Sequence, residues 1–250
     1  MINSSEITVI LKGLIIGKTG DKYSDRYTYR SIESVRKYLP DSKIILSTWE
    51  GSDVSGLSPD EIIFNKDPGK LEMVDDGGVV KFITVNNQII TSQKGLEKVC
   101  TKYTLLMRTD MILTGIGFLK YFEKYNKNKC EGHLNKKIVV LPTYSPRRVS
   151  KFLFDTCDWV YFGLTEDLKN IFQISLIDKD NLKGEKKDGY YQVKENLGAE
   201  QYVWLNFLKK YRKDLELPYI NYFSEGLNDK SEESYARNTI MISATRFCVK

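Results

Sequence analysis

An apolar segment that ends in a charged pair constrains the fold of this chain more than any other feature of its sequence. Residues 103–107, YTLLM, are nearly all apolar and lack the alternation of a half-exposed strand, which is typical of a strand covered on both faces by helices. Arg108 and Asp110 follow directly, and strands of such sheets carry ligands at their carboxyl ends. Two interpretations have equal weight. Asp110 binds a cation or sugar hydroxyl while Arg108 contacts phosphate, or the two residues form an ion pair that closes the strand.

The composition excludes several classes of protein. The 38 basic residues slightly exceed the 33 acidic ones, which fits a small anionic ligand or an anionic membrane surface, and no basic run interleaved with aromatics indicates nucleic acid. No apolar run approaches the roughly 18 residues of a membrane span, so any membrane contact should be peripheral. The four cysteines form no C-x-x-C pair, which fits a reducing cytosol.

The chain has a single histidine, His133. Zinc sites with several histidines, Ser-His-Asp triads and Cys-His pairs would all depend on this one residue, which lies in a polar loop. The sequence also lacks a P-loop and the spaced glycines of dinucleotide-binding enzymes. These absences argue against hydrolytic, methyl-transfer and hydride-transfer chemistry.

The first half of the chain predicts parallel strands. The pattern is that of a βαβ unit: an apolar segment, a helical pattern that ends before Pro40, and a second apolar segment. Another short strand follows. The predicted strands are residues 7–11, 44–46 and 61–64. The carboxyl ends of parallel strands share one sheet edge. We therefore expect the residues beyond these ends to meet Arg108 and Asp110 and to contact a nucleotide: Gly13, Trp49, Glu50 and Asp67. Asp67 begins an Asp-Pro-Gly segment, which is first of all a turn sequence.

A helix is predicted over residues 84–100. Asn87, Gln88 and Ser92 could present amide and hydroxyl groups to a bound nucleotide, although such a stripe is more often only solvated. Gly95 lies inside the helix and costs about 1 kcal/mol relative to Ala, which indicates close packing at this position.

The second half should be less regular. We predict helices at 117–125, 165–175 and 200–211, a strand at 138–141, an aromatic strand that Asp158 begins, and edge strands in the tail on either side of a polar link at 224–238. Asp158 and Trp159 are candidate sugar contacts, because sugar C–H groups stack on aromatic faces while carboxylates bind the hydroxyls. Trp159 fits the core equally well. Glu166 and Asp167 should serve a helix amino end.

Seven motifs in the same order across nearly the whole chain resemble the WavE-like lipopolysaccharide-synthesis family, which is grouped with GT-A glycosyltransferases. They are LKGLI, ILSTWEG, DPG, the NNQIITS helix with its Gly-Leu pair, MRTDM, DWVYFG with the following Glu-Asp-Leu, and Glu-Gln-Tyr at residues 200–202. The resemblance implies an α/β fold with a GT-A-like, Rossmann-type, mostly parallel sheet flanked by helices. It also implies a single domain, 1–250, with a nucleotide-binding half, 1–113, and a mixed acceptor-binding half, 114–250.

The resemblance also assigns roles to individual residues. Residues 108–110 fall where GT-A enzymes have a D-x-D motif that binds the donor diphosphate through Mn²⁺ or Mg²⁺. Because Arg108 replaces the first acid, either Asp110 alone is the metal ligand or Arg108 does part of the metal's work. Asn87 stands where the family tends to have Arg, which weakens a phosphate role for that helix. Glu200 matches the catalytic base, with Asp158 as the second candidate, while a helix-dipole role for Glu200 is equally compatible with its position.

The implied function is transfer of a sugar from a nucleotide-sugar donor to a glycan or glycolipid acceptor of lipopolysaccharide, capsule or another surface polysaccharide. Transfer should be inverting and should occur in the cytoplasm at the inner face of the membrane. The alternative is a non-catalytic nucleotide- or carbohydrate-binding protein on the same scaffold, which the replacement of the first acid by Arg108 favours. A nucleotidyltransferase fits less well, because the basic Gly-rich amino-terminal loop of those enzymes is absent.

Overall fold

The computed structural model describes residues 2–17, 27–74, 80–142, 153–178, 185–187, 190–192, 198–217 and 224–250. Its centre is a seven-stranded sheet in the order β11-β7-β8-β6-β1-β2-β3. The strands of this sheet are β1 (Ile7–Lys12), β2 (Lys43–Trp49), β3 (Glu61–Asn65), β6 (Tyr103–Arg108), β7 (Ile138–Val140), β8 (Val160–Leu164) and β11 (Thr239–Met241). Two antiparallel hairpins lie outside it, β4 (Leu71–Val74) with β5 (Val80–Ile83) and β9 (Glu185–Lys187) with β10 (Tyr190–Gln192).

The amino-terminal part of the sheet is parallel, as the sequence predicts. Strand β1 pairs in parallel with both β2 and β6, and β2 pairs in parallel with β3. The second half is mixed, because β8 runs antiparallel to its neighbours β6 and β7, whereas β11 is parallel to β7. The α/β fold with a mostly parallel sheet and a mixed second half is therefore confirmed.

Helices cover both faces of the sheet. They are α1 (Tyr27–Tyr38), α2 (Val85–Glu97), α3 (Gly117–Tyr125), α4 (Thr165–Phe172), α5 (Ala199–Lys209), α6 (Glu225–Asn238) and α7 (Ala244–Phe247), and a 3-10 turn (Ser4–Glu6) precedes β1. One core contains apolar residues of α2, α4, α5 and α6, and the other contains those of α1, α3 and α7. Along β6, Leu106 enters the first core while Leu105 and Met107 enter the second. This burial on both faces explains the uninterrupted apolar run of the strand.

The tail differs from the prediction. The segment predicted as a polar link forms helix α6, which Ser224 caps by accepting a hydrogen bond from the backbone N–H of Leu227 at 3.3 Å. The buried face of this helix includes Ser234, whose hydroxyl accepts from the Trp204 indole N–H at 3.0 Å. This face is polar and gives no hydrophobic periodicity, so the link prediction was wrong. The predicted edge strand is confirmed by β11, and residues 218–223 lie outside the described part of the chain.

No helix within the described residues is long and apolar enough to cross a membrane.

The close packing expected at Gly95 is confirmed, and it yields a stability prediction. A Cβ at Gly95 would meet Ile10 Cγ2 at 2.6 Å, whereas a Cβ at Gly226 in α6 would meet nothing within 4 Å. Gly95→Ala should destabilise the protein by up to about 2 kcal/mol, because overpacking costs about 1 to 3 kcal/mol and the helix propensity of Ala returns about 1 kcal/mol. Gly226→Ala is the matched control and should be neutral or stabilising by up to about 1 kcal/mol. Urea denaturation measures both changes. A Gly95→Ala variant as stable as the parent would show that α2 is free to move away from β1.

Candidate active site

The carboxyl ends of β1, β2, β3 and β6 lie on one edge of the sheet, because these strands are parallel. Beyond the strand ends, backbone hydrogen bonds continue the pairing: Gly13 N donates to Ser47 O at 3.0 Å and Thr109 N donates to Lys12 O at 3.2 Å. Gly13 adopts a φ of +118°, which L-residues with side chains rarely do. The first turn after β1 is therefore fixed against the turn after β6.

Arg108 and Asp110 form a two-pronged ion pair. The guanidinium donates from Nε to Oδ1 at 2.9 Å and from Nη2 to Oδ2 at 2.7 Å, and the two side chains are 40% and 25% exposed. The hydrogen bonds that Arg108 donates to Asp110 raise the pKa of Arg108. The guanidinium also lies 5.9 Å from the centre of the Trp159 ring, so one face of this candidate sugar-stacking residue is already covered. The Arg108–Asp110 ion pair, one of the two interpretations of this motif, is thus present. It lies at the carboxyl edge of the sheet, where a ligand was expected.

The arrangement of Asp110 does not fit the metal that the family resemblance implies. Both carboxylate oxygens accept hydrogen bonds from Arg108, and the adjacent positive charge opposes a cation. Among the described residues, no group of three or more His, Cys, Asp or Glu side chains has an arrangement that could hold a metal ion. Of the roles expected from the sequence, that of Asp110 as a metal ligand is therefore the one that the geometry supports least.

Three carboxyl groups, those of Asp155, Asp158 and Glu200, approach the same edge from the second half of the chain. Asp158 lies two residues before β8, and because β8 is antiparallel to β6 its amino end adjoins the carboxyl end of β6. Glu200 lies in the first turn of α5, and its side chain adjoins that of Asp158, close enough for the two carboxyl groups to share a proton. The structure therefore brings together the two residues that were the candidates for the catalytic base.

Burial changes the protonation of this carboxyl cluster. Burial and the charge of Asp158 raise the pKa of Glu200. Burial, followed by the charges of Glu200 and Asp158, raises the pKa of Asp155 to about 7. Two carboxyl groups this close disfavour the state in which both are ionised, which adds to the effect of burial on Glu200.

Lys12, at the end of β1, is a buried cation close enough to the carboxyl cluster for their charges to interact. Its side chain is only 3% exposed, its Nζ has no hydrogen-bond partner among the described residues, and it lies 5.7 Å from the centre of the Phe172 ring. Burial lowers the pKa of Lys12 to about 8, while the charges of Asp158 and Glu200 oppose this shift. Sequence reasoning missed both Lys12 and Asp155. The available signals were a lysine that ends an otherwise apolar strand and an acid three residues before Asp158.

The candidates on the nucleotide side occupy the same edge in different ways. Asp67 and Asn87 are in contact, since Asn87 Nδ2 donates to Asp67 Oδ1 at 2.8 Å, and the same oxygen accepts from Gly69 N at 2.9 Å. Both amide atoms of Gln88 are buried without a hydrogen-bond partner among the described residues. Ser92 is fully buried, and its hydroxyl donates to the Gln88 carbonyl of its own helix, so the structure does not present it to a ligand.

Two further candidates lie after β2. Trp49 is 6% exposed and belongs mostly to the protein interior, whereas Glu50 is exposed and its backbone N–H donates to Asn65 O at 2.9 Å. Glu50 is therefore the more accessible of the two.

Fold and site together define a helix-flanked α/β protein with a charged cluster at the carboxyl edge of its central parallel strands. The chain belongs to the WavE lipopolysaccharide synthesis family, whose family model matches residues 7–245. This confirms the family resemblance inferred from the sequence motifs. No curated protein sequence matches the chain significantly.

Several solved structures are distantly similar. A cytidylyltransferase from Leptospira borgpetersenii has a TM-score of 0.39 and 8% identity, with 71% of this chain and 67% of that chain covered. The apo form of the glycosyltransferase GlyE from Streptococcus pneumoniae has a TM-score of 0.38 and 11% identity, with 96% of this chain but 45% of that chain covered. HddC from Yersinia pseudotuberculosis, complexed with GMP-PN, has a TM-score of 0.34 and 12% identity, with 65% and 78% covered. The fold assignment rests on the sheet topology described above.

The raised pKa of Asp155 predicts a pH-dependent effect on stability. Because the folded-state pKa lies above the unfolded-state value of about 4, this carboxyl costs stability increasingly as the pH rises from about 4 to 7. Asp155→Asn removes that cost. The unfolding free energy of the variant minus that of the parent should therefore increase by at least about 1 kcal/mol between pH 4.5 and pH 8.

Denaturant titrations across this pH range measure the difference. Asp229→Asn, at an exposed carboxyl of α6, is the control and should give a nearly constant difference. A constant difference for Asp155→Asn as well would mean that Asp155 ionises as readily in the folded chain as in the unfolded one.

Proposed function

We propose that this chain transfers a sugar from a nucleotide-sugar donor to a glycan or glycolipid acceptor, with the Glu200–Asp158 pair accepting the proton of the acceptor hydroxyl. The proximity of these two carboxyl groups, at the carboxyl edge of β6, is the observation that carries the proposal. Membership of a lipopolysaccharide synthesis family supports the substrate class.

The donor diphosphate would lie beside Arg108, at the carboxyl edge of the parallel strands. The guanidinium is partly exposed, and among the described residues the carboxylate that binds it is that of Asp110. A diphosphate can replace Asp110 as its partner, since both present paired oxygens to the fork of N–H donors. Arg108 then stabilises the negative charge that develops as the bond between the sugar and the diphosphate breaks.

The acceptor would approach from the side of α5. In one displacement, the acceptor oxygen forms a bond to the anomeric carbon, the bond from that carbon to the diphosphate oxygen breaks, and the hydroxyl proton passes to the ionised carboxyl of the pair. The raised pKa of Glu200 makes its carboxylate a stronger base than an ordinary carboxylate, and the neighbouring Asp158 contributes to that rise. The stereochemical outcome would be inversion.

Removal of the base should abolish most of the transfer. Glu200→Gln keeps the shape of the side chain but cannot accept a proton, so the transfer rate should fall by about 10²- to 10⁴-fold while donor binding is retained. Glu225→Gln is a matched control, because Glu225 also lies in the first turn of a helix, and it should leave the rate unchanged. If Glu200→Gln reduced the rate less than about tenfold, Glu200 would serve only its helix, as any first-turn acid does.

Arg108 should be required for diphosphate binding. The parent should be stabilised by nucleoside diphosphates in the presence of EDTA, by about 2.7 kcal/mol at a hundred times the dissociation constant, and Arg108→Gln should lose this stabilisation. Arg212→Gln is the matched control, because Arg212 forms the same two-pronged pair with an acid two residues later, at 3.1 and 3.0 Å to Asp214. Thermal-shift measurements give the result directly.

Two outcomes would count against parts of this mechanism. Loss of nucleotide stabilisation on chelation would assign the phosphate contact to a metal bound after Asp110 leaves Arg108. Nucleotide binding without any hydrolysis or transfer of the tested nucleotide sugars would favour the non-catalytic binding protein instead, since transferases usually hydrolyse their donors slowly.

A further inference from the structure

Lys12 is a buried cation without a hydrogen-bonding partner. Buried charges are normally paired, because removing an unpaired ammonium from water is costly. Nevertheless its side chain is 3% exposed and its Nζ has no hydrogen-bond partner among the described residues. It is held on β1, where its backbone is in register with Ser47 of β2 and Arg108 of β6. Its position is therefore set by the central strands rather than by a salt bridge.

The groups around Lys12 come from four parts of the fold. Arg108 of β6 is the cation beside it, and the ring of Phe172 in α4 covers it. The anionic neighbours are Asp158, in the segment before β8, and Glu200 of α5, and the thiol of Cys157 lies in the same segment. Asp155 belongs to the same cluster, because the charges of Glu200 and Asp158 act on it. Lys12 is in register with Arg108, whose backbone N–H donates to Trp159 O at 3.0 Å, so this buried positive charge lies one strand away from the segment that carries Asp158.

We propose that Lys12 is a positioning residue for the Glu200–Asp158 pair, whose fixed charge keeps one carboxyl of the pair ionised at neutral pH. This inference rests on the proposed function, in which that ionised carboxyl accepts the proton.

The physical reason is the burial of the acids. Desolvation favours the protonated form of each carboxyl, and three acids close together favour it further. A fully protonated pair could not act as a base. A positive charge inside the protein is weakly screened, so it offsets this effect over a longer distance than a surface lysine does. Because Nζ forms no hydrogen bond to either acid, both carboxyl groups keep their oxygens available for each other and for the acceptor.

The pH dependence of transfer tests the inference. In Lys12→Met the acidic limb of the pH–rate profile should move upward by about one to two pH units, because the ionised carboxyl loses its counter-charge. Lys12→Arg keeps the charge and should restore the parent profile to within about half a unit. Lys98→Met removes an exposed lysine at the end of α2 and should leave the profile unchanged. A purely structural role for Lys12 would alter the amount of folded protein but would not shift the profile.

A second measurement does not depend on activity. Carbon-13 NMR of side-chain carboxyl groups, with Glu200→Gln to assign the Glu200 resonance, reports the protonation of the pair directly. The Glu200 midpoint should be higher in Lys12→Met than in the parent. Equal midpoints in folded Lys12→Met and parent protein would overturn the inference. A higher midpoint in a protein that transfers no sugar would instead retain the inference and contradict the proposed function. Lys12→Gln serves the same comparison if the Met variant does not fold.

Discussion

The parallel pairing of β1 with β6 is the contact on which both the fold and the site depend. It joins the first strand of the chain to the strand that carries Arg108. Successive residues of these two strands face the two helical layers in turn. Because the described strands are buried on both faces, a ligand can reach this pair at its carboxyl end. Arg108 and Asp110 are partly exposed there, and Lys12 is buried beside them.

The antiparallel strand β8 explains how the second half of the chain contributes to the same edge. A parallel strand beside β6 would place its carboxyl end at the site and its amino end on the far side of the sheet. Since β8 runs the other way, the residues that precede it, Asp155 and Asp158, enter the site from the loop. Because of this one reversal of strand direction, the acids of the second half lie opposite the cations of the first half.

The elements that were predictable from the sequence are those whose buried residues are mainly apolar. Strands β1, β2 and β6 and helix α3 follow from continuous or periodic hydrophobic residues, and Gly95 indicated the close approach of α2 to Ile10. Helix α6 was not predictable in this way, because part of its buried face is polar. Ser234 and Asn238 donate to backbone carbonyls of the helix itself, and the Ser231 hydroxyl accepts from the backbone N–H of Phe154. The site divides similarly. Glu200 and Asp158 were found through the family motifs, whereas the importance of Lys12 and Asp155 depends on burial that only the tertiary structure supplies.

The register of β1 with β6 also has a consequence for folding. Ile7 lies opposite Tyr103, so the central pairing closes a loop that contains α1, β2, β3, the β4–β5 hairpin and α2. Pairing strands so far apart in the sequence costs chain entropy, and contacts between residues close in the sequence do not offset that cost. The two cations of the site, Lys12 and Arg108, become neighbours only when this loop closes. A partly folded chain with its helices in place would still keep them apart. The charged edge therefore forms only when this loop closes and its entropic cost has been met.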